Sequence, residues 1–211
     1  MQRDIELLDS TDKFDAAFCR LYTWDGVWVS LGKFQNPNVD LKQPSKTRFV
    51  MRPTGGKAVL HGHDLTVSIA VSLKLLEENS RNVKSIYRSL INPIVKGLTN
   101  CGIQADLAEN TIFAKAKASV SDCFKHISVN DVVDLKTGRK LVGCALKVTK
   151  TAALAQCSIP ISLPKIDPAT IFHHSHVPQP LELEQEELIK QITKSFINLF
   201  SSKSEKEVAL L

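Results

Sequence analysis

Apolar and small or polar residues alternate through "LTVSIAVSL" (65–73), the two-residue period of a half-buried strand. The stretches "KTRFVMR", "TIFAKAKASV", "DVVDL", "RKLVGCALKV" and "AALAQCSIPISL" also read as strands, and Gly138 in "DLKTGRKL" reads as a turn between two of them. "CRLYTW" and "VWVSLG" flank Asp25-Gly26, a dipeptide that predicts a two-residue hairpin. Between the two groups of strands the period changes. Val83, Ile86, Tyr87, Leu90, Ile91, Ile94 and Leu98 mark one face of a helix from about Asn82 to Asn100. Pro93 is expected to kink or divide it, and Asn100 and Gly102 to end it. Asp167-Pro168 predicts the start of a short helix. Leu188, Ile189, Ile192, Phe196, Leu199 and Phe200 form the stripe of a last helix over about 183–200, ahead of a frayed "SSKSEKEVALL". Strands, helix and strands without a regular βαβ rhythm predict an α+β fold, a mixed, largely antiparallel sheet with helices packed on it. No internal repeat or low-complexity block interrupts it.

The stretch "FVMRPTGGKAVLHGHDLTVSIA" (49–70) raises the first chemical question. A glycine pair marks a tight hairpin more often than a pocket, but it also lets a ligand approach main-chain N–H groups. Lys140 opens the apolar strand "KLVGCA". Such a lysine is usually a snorkelling surface residue; held at a pocket mouth it would polarise an acyl carbonyl or neutralise a phosphate, and its replacement by alanine would leave the fold intact. Cys123 lies in a polar loop beside Asp122, Lys125 and His126, where a cation favours the thiolate. Cys144 and Cys157 lie within apolar strands and read as small core residues. His126 reads as a surface residue, with the activating base as the alternative. "HHSH" (173–176) reads as a polar linker, since no carboxylate or cysteine stands at ligand spacing.

Composition narrows the classes. A chain of 211 residues, 43% hydrophobic and 23% charged, suits one domain with a real core. Five cysteines at irregular spacings, with no CxxC, speak against a disulfide framework or a structural zinc site. No apolar run is long enough to span a bilayer, and "MQRDIELLDSTDKFD" lacks a signal peptide's apolar stretch, so a cytoplasmic protein is expected. The net charge of +5 suits an acidic protein partner or a phosphate-bearing ligand better than nucleic acid.

"RPTGGKAVLHGHDLTVSIA" followed by "GRKLVGCALK" closely resembles the biotin/lipoate protein ligase superfamily, in its lipoate and octanoate branch. The family's arginine, Ser/Thr-Gly-Gly loop, Ala-Val and histidine fall on Arg52, Thr54, Gly55, Gly56, Ala58, Val59 and His61. Its active-site lysine and following glycine fall on Lys140 and Gly143. "VSLGKFQNP" and "IYRSLINPIVKGLTNCGIQADL" resemble its early element and central helix, so the likeness covers roughly 20–165. The resemblance implies a catalytic domain over 1–166, with 167–211 as a linker and an amphipathic helix packed on it. It implies a loop, Lys57 and Leu60 included, that closes over the carboxyl or thioester end of a medium-chain acyl group. Burying about six methylenes is worth roughly 5 kcal/mol, enough to seat such a chain with few polar contacts.

Within the branch, "HGHDLTVS" and Cys123-Phe124 resemble the cysteine-dependent octanoyltransferases, in which a thiol takes the acyl group and no cofactor is required. The alternatives are an ATP- and Mg-dependent lipoate–protein ligase, some of which use a second chain, and a non-catalytic acyl or carrier binder. Lys57 stands where the ligases usually have a third glycine, and the family's N-terminal helix with its Asn-Met-Ala-x-Asp-Glu motif is expected to be missing or reduced to "STDKFDAAF". The implied partners are lipoyl-domain proteins (2-oxoacid dehydrogenase subunits, the glycine cleavage H protein) and acyl carrier protein as a donor of octanoyl or lipoyl groups. Lys115, Lys117, Lys125, Lys136 and Arg139 would form a basic docking face. No metal site, nucleic acid or membrane is implied, and a monomer is expected.

Overall fold

Two sheets organise the chain in the computed structural model, which describes residues 1–76, 82–115, 120–201 and 208–210. The elements are α1 (Gln2–Phe14), β1 (Ala17–Tyr22), β2 (Trp28–Leu31), a single turn α2 (Pro37–Asp40), β3 (Phe49–Met51), β4 (Val59–His61) and β5 (Asp64–Ser72). Then follow α3 (Val83–Asn100), β6 (Ala105–Leu107), β7 (Val132–Asp134), β8 (Lys140–Val148), β9 (Ala152–Pro160), α4 (Gln185–Phe200) and β10 (Val208–Leu210). The larger sheet has the order β10-β1-β5-β9-β8-β7-β6, antiparallel except where β10 joins β1. The smaller is β3-β2-β4, with β3 parallel to β2. The fold is α+β, as the alternation predicts.

The period of two divides the work of the large sheet. Leu65, Val67, Ile69 and Val71 of β5, with Ala153, Ala155 and Ile159 of β9, join the apolar stripes of α3 and α4 in the main core. The intervening positions, Thr66, Ser68 and Ala70 of β5 and Leu154, Gln156 and Ser158 of β9, lie on the opposite face. At one end of that face α1 packs through Leu7 and Leu8 on Phe18, Ala70 and Leu154. The other end carries the polar positions. No helix among the described residues is long and apolar enough to cross a membrane.

Several sequence expectations are corrected. The Asp25-Gly26 turn does not make a hairpin: β1 pairs with β5 and β10, while β2 leaves for the smaller sheet between β3 and β4. α3 runs unbroken through Pro93, capped by the Asn82 side chain on the Ser85 N–H. One lost hydrogen bond and a ring clash cost about 3 kcal/mol. Ile86, Leu90, Ile91, Ile94 and Leu98, all buried, outweigh that at roughly 1.5–3 kcal/mol each. Residues 111–115 are not a strand, and 116–119 lie outside the described residues; the edge strand is instead β6, halted by the 3₁₀ turn Ala108–Asn110. The tail is not wholly frayed, since 208–210 pair with 17–19. An N-terminal helix is present as α1; Asp4 in its first turn and Met1 just before it keep the Met-x-x-Asp spacing of the family motif.

Candidate active site

Because β3 and β4 pair with β2 from opposite sides, residues 52–58 cross over the end of β2 rather than closing a tight hairpin. A crossing backbone needs its carbonyls satisfied, and Arg52 does this. Its Nη1 donates to Ser30 O (2.9 Å) and Ser30 Oγ (3.1 Å), and its Nη2 to Gly55 O (2.9 Å) and Lys57 O (2.5 Å). Burial draws this guanidinium down to about 10, so it remains charged at neutral pH. Gly56 adopts φ +83°, a conformation that L side chains rarely take. Its carbonyl packs directly on Gly32, where any Cβ would overlap it, which accounts for the glycine in "VSLG".

The same loop anchors Cys123. Ala58 pairs with Asp122 in a parallel bridge: the Ala58 N–H donates to Ser121 O and the Cys123 N–H to Ala58 O, each at 2.8 Å. Asp122 then caps the 3₁₀ turn Cys123–Lys125 by accepting from the Phe124 N–H (2.9 Å), and accepts from the His176 N–H (3.0 Å). Sixty-five residues apart in sequence, Cys123 and Ala58 become neighbours through main-chain bonds alone.

Lys140 lies behind Cys123. Its Nζ donates to Cys123 O (2.7 Å), Cys123 Sγ (3.2 Å) and His126 O (3.2 Å), and forms a 2.8 Å ion pair with Asp131. Asp131 is itself held by the Ser128 N–H (2.7 Å) and Oγ (3.0 Å). The lysine is therefore a buried, paired cation and not a snorkelling or mouth residue, and the expectation that Lys140→Ala leaves the fold intact is withdrawn. Gly143 explains the Lys-x-x-Gly spacing: a Cβ there would stand 3.0 Å from Cys123 Sγ and 3.4 Å from Lys140 Cε.

Burial by itself lowers the Lys140 pKa, but the charges of Cys123 and Asp131 and their hydrogen bonds overcome it and hold the ammonium above its ordinary value. Burial pushes the Cys123 thiol up, Asp131 adds to this, and Lys140 and Arg52 oppose it. The resting pair is a thiol beside an ammonium, and a thiolate formed there has two cations to stabilise it. His126 shares an outer cleft with Cys123, Lys57, Lys115, Asp131 and Lys140, and burial, with Lys57 nearby, lowers its pKa.

On its inner side Cys123 faces a chamber that runs across the sheet. Gly143, Ser158, Thr66 and Tyr22 line it from β8, β9, β5 and β1, each directly opposite the next. Arg52, Gly56, Lys57, Val59 and His61 form part of its wall, with Trp24, Met1 and Gln156. Many of these side chains are polar, yet their polar atoms are engaged within the wall. Asp64 accepts from Thr66 Oγ1 (3.1 Å), Ser158 Oγ (2.7 Å) and His61 Nδ1 (2.8 Å). An ionised carboxylate only accepts, so Nδ1 carries the proton, and in the neutral ring Nε2 takes the Ser30 hydroxyl at 2.7 Å. Asp4 accepts from Gln156 Nε2 (2.7 Å), Tyr22 (3.0 Å) and Arg20 (2.7 Å), and Gln156 Oε1 accepts from Thr54 (2.8 Å). With their donors turned into the wall, these residues offer mostly carbon to the interior.

Of the residues singled out in sequence, Arg52, Gly56, Lys57, Val59, His61, Cys123 and Gly143 thus meet at the chamber. Thr54 is buried against Gln156, and Gly55 packs toward exposed Phe34. Ala58 and Leu60 belong to a separate apolar cluster with Val29, Leu31 and Phe172. Cys144 and Cys157 oppose each other in β8 and β9 and pack with the main core, but both also border the chamber, and Cys144 borders the outer cleft. Lys115, Lys125 and Arg139 line a cleft on the other side of Lys140, Lys136 is exposed in the β7–β8 turn, and Lys117 lies outside the described residues. The sequence reading did not single out Asp131, Asp4, Trp24 or Gln156. Only Asp4 had a signal, its spacing from Met1.

Asp64 also gives a stability test. Burial alone would raise its pKa, but His61, Ser158 and the attached hydrogen bonds bring it below the usual carboxylate value of 3.8. Its contribution is therefore present above that value and is lost as pH falls through the lower, folded one. Asp64→Asn would turn an amide N–H toward donors, costing about 2–3 kcal/mol. Thermal unfolding at neutral pH should show Tm lower by roughly 5–10 °C.

A family model described as the lipoyl protein ligase A/B catalytic domain matches residues 1–202. Among curated proteins, octanoyltransferase LipM of Lysinibacillus sphaericus is 32% identical, over 74% of this chain and 58% of that protein. Octanoyltransferase LipM of Kyrpidia tusciae is 36% identical, over 72% and 56%. The chain spans little more than half the length of these relatives. Among solved structures, a lipoate-protein ligase A bound with ATP superposes with a TM-score of 0.70 at 17% identity, covering 99% of this chain and 81% of that one, a likeness of fold. Together with the Arg52 loop and the Lys140-x-x-Gly143 pair, the match over 1–202 establishes that this chain belongs to the lipoyl protein ligase A/B catalytic domain family.

Proposed function

We propose that the chain transfers an octanoyl or lipoyl group from a carrier thioester to the acceptor lysine of a lipoyl-domain protein, through a thioester on Cys123. The observation that carries this reading is the placement of Cys123 Sγ, 3.2 Å from a buried ammonium and at the wall of a carbon-lined chamber. In the first step the Cys123 sulfur attacks the donor carbonyl. The Sγ–C bond forms, the donor's C–S bond breaks, and the departing carrier thiolate takes up the proton released by Cys123. In the second, a neutral acceptor amine attacks the same carbonyl. An amide forms, the Sγ–C bond breaks, and the proton lost by nitrogen returns to the leaving sulfur. Exchange between thioesters is nearly balanced in free energy and thioester to amide is downhill, so this route requires no ATP.

Around the reacting carbonyl, Arg52 fixes the loop backbone and Lys140, held by Asp131, supplies positive charge where sulfur becomes anionic. Lys115, Lys125 and Arg139, which line the cleft beside Lys140, suit an acidic acyl carrier or lipoyl domain. The ATP- and Mg-dependent ligase reading would leave Cys123 without a chemical task. The test is incubation of the protein with octanoyl carrier thioester and a lipoyl domain, with and without ATP and Mg, read by intact mass. Acceptor modification without nucleotide is expected, and it should slow between low and physiological salt as screening shortens the reach of the basic face. Modification that appears only with ATP would overturn the transferase reading.

A further inference from the structure

Two thiols that the transfer chemistry leaves unused stand face to face. Cys144 and Cys157 are directly opposite in the β8–β9 ladder, and both are free. The hydrogen-bond phase of the ladder decides how close they come. The Thr149 N–H donates to Ala152 O at 2.8 Å, so 149 and 152 form a hydrogen-bonded pair at the end of the hairpin. From Val148–Ala153 to Gly143–Ser158 the register runs unbroken, and bonded and unbonded pairs alternate along it. Cys144 and Cys157 therefore fall at an unbonded pair, where Cα atoms stand about 4.5 Å apart and side chains approach most closely. A disulfide spans Cα separations of about 4.4–6.8 Å, most often about 5.5–6 Å. The two thiols are already within bridging reach. Other thiols are not so placed. Successive residues of a strand point to opposite faces, so Gly143, on which Cys123 Sγ rests, faces away from the Cys144 side chain. Cys19 of β1 is two strand spacings from β9, roughly 10 Å.

The two differ in access. Cys144 is half-buried and borders both the outer cleft and a second one lined by Tyr87, Asn130 and Leu146. Cys157 is 2% exposed, and burial pushes its thiol well above the usual pKa. One thiol meets solutes, and the other is shielded behind it.

We propose that Cys144 and Cys157 are a redox site, which a hydroperoxide closes into a cross-strand disulfide and a dithiol reopens, and that closing it slows reaction at Cys123. The Cys144 sulfur attacks the peroxide: an S–O bond forms, the O–O bond breaks, and the departing oxygen takes the thiol proton. The Cys157 sulfur then attacks that of Cys144. The S–S bond forms, the S–O bond breaks, and the hydroxyl leaves as water with the Cys157 proton. Two thiols are oxidised and one peroxide is reduced; a dithiol reverses this by two exchanges and becomes a cyclic disulfide. The bridge is felt at Cys123 through Gly143. A pair near 4.5 Å lies at the short end of the disulfide range, so bridging favours widening by roughly 1 Å. Gly143 is bonded to Cys144, and even a Cβ there would stand 3.0 Å from Cys123 Sγ and 3.4 Å from Lys140 Cε. Where packing is this close, such a shift disturbs the contact between the thiol and its ammonium. The inference does not depend on acyl transfer, because Cys123 serves in it only as a reporter thiol.

The experiment treats the full chain with hydrogen peroxide. In Cys123→Ser, which lacks the competing thiol, intact mass should fall by two hydrogens, and non-reducing peptide mapping should yield a Cys144–Cys157 link that dithiothreitol removes. In the unmodified protein the same treatment should slow alkylation of Cys123 by iodoacetamide severalfold more than it does in Cys157→Ser. That variant cannot form the bridge and so reports direct oxidation of Cys123 alone; Cys144→Ser takes its place if it does not fold. No reaction at Cys144, or an oxygen adduct on it without a linked peptide, overturns the redox site. A linked peptide with equal slowing in the unmodified and Cys157→Ser proteins overturns its hold on Cys123. Failure of thioester donors to acylate the untreated protein strikes the proposed function instead, and leaves these readouts unaffected.

Discussion

Cys123→Ser should abolish the acyl adduct that is expected when the unmodified protein meets a thioester donor alone. The adduct should add one acyl mass and be released by hydroxylamine. A serine hydroxyl at this position has no base within the described contacts to deprotonate it, and the ammonium that favours a thiolate cannot bring a hydroxyl into range. Loss of acceptor modification on the order of 10⁴-fold or more is the scale on which removed nucleophiles act. Cys144→Ser and Cys157→Ser should keep the adduct, because the Lys140 ammonium hydrogen-bonds to Cys123 Sγ and to neither of these thiols, and burial raises the pKa of Cys157 well above its usual value. Adduct formation by Cys123→Ser, or lipoyl-adenylate formation at the normal rate without Cys123, would remove the thioester route.

Lys140→Ala should lose both stability and chemistry, and the two losses can be separated. Removing the lysine leaves Asp131 buried with its negative charge facing the Cys123 turn, a situation that costs about 3–5 kcal/mol. Tm should fall by roughly 10 °C. The Cys123 thiol also loses the cation that opposes its burial, so the pH midpoint of its alkylation should move upward. The folded lysine's pKa is raised, so its stabilisation is complete below the ordinary lysine value of 10.5 and is lost only as pH rises beyond it. Around neutral pH the deficit should be flat. The double change Lys140→Met with Asp131→Asn removes both charges and should recover much of the Tm without recovering adduct formation. Full acylation by the double variant would show that the pair serves only the fold.

What the sequence determined by itself was local or repetitive. The alternation in β5 and the stripes of α3 and α4 were legible because one face of each meets a single apolar core, and period alone reports that. The Arg52 loop, Lys140 and Gly143 were legible only through their resemblance to a family motif; the residues alone read as a hairpin and a surface lysine, and the folded chain shows the backbone crossing and the thiol pressed on a strand that restrict them. The tertiary structure decided which edges pair. Asp25-Gly26 has hairpin chemistry, but the partners that bury β1 and β2 best lie in different sheets, and burial of whole strands outweighs a turn preference. It also decided who joins the site. Asp131, Asp4, Trp24 and Gln156 carry no local pattern, since a buried charge or a pinned indole is specified by the partners that satisfy it. Those partners, Lys140, Arg20, Thr66 and Thr54, come from other strands and loops. A polar side chain's role follows from where its hydrogen bonds end, and only the folded chain sets that.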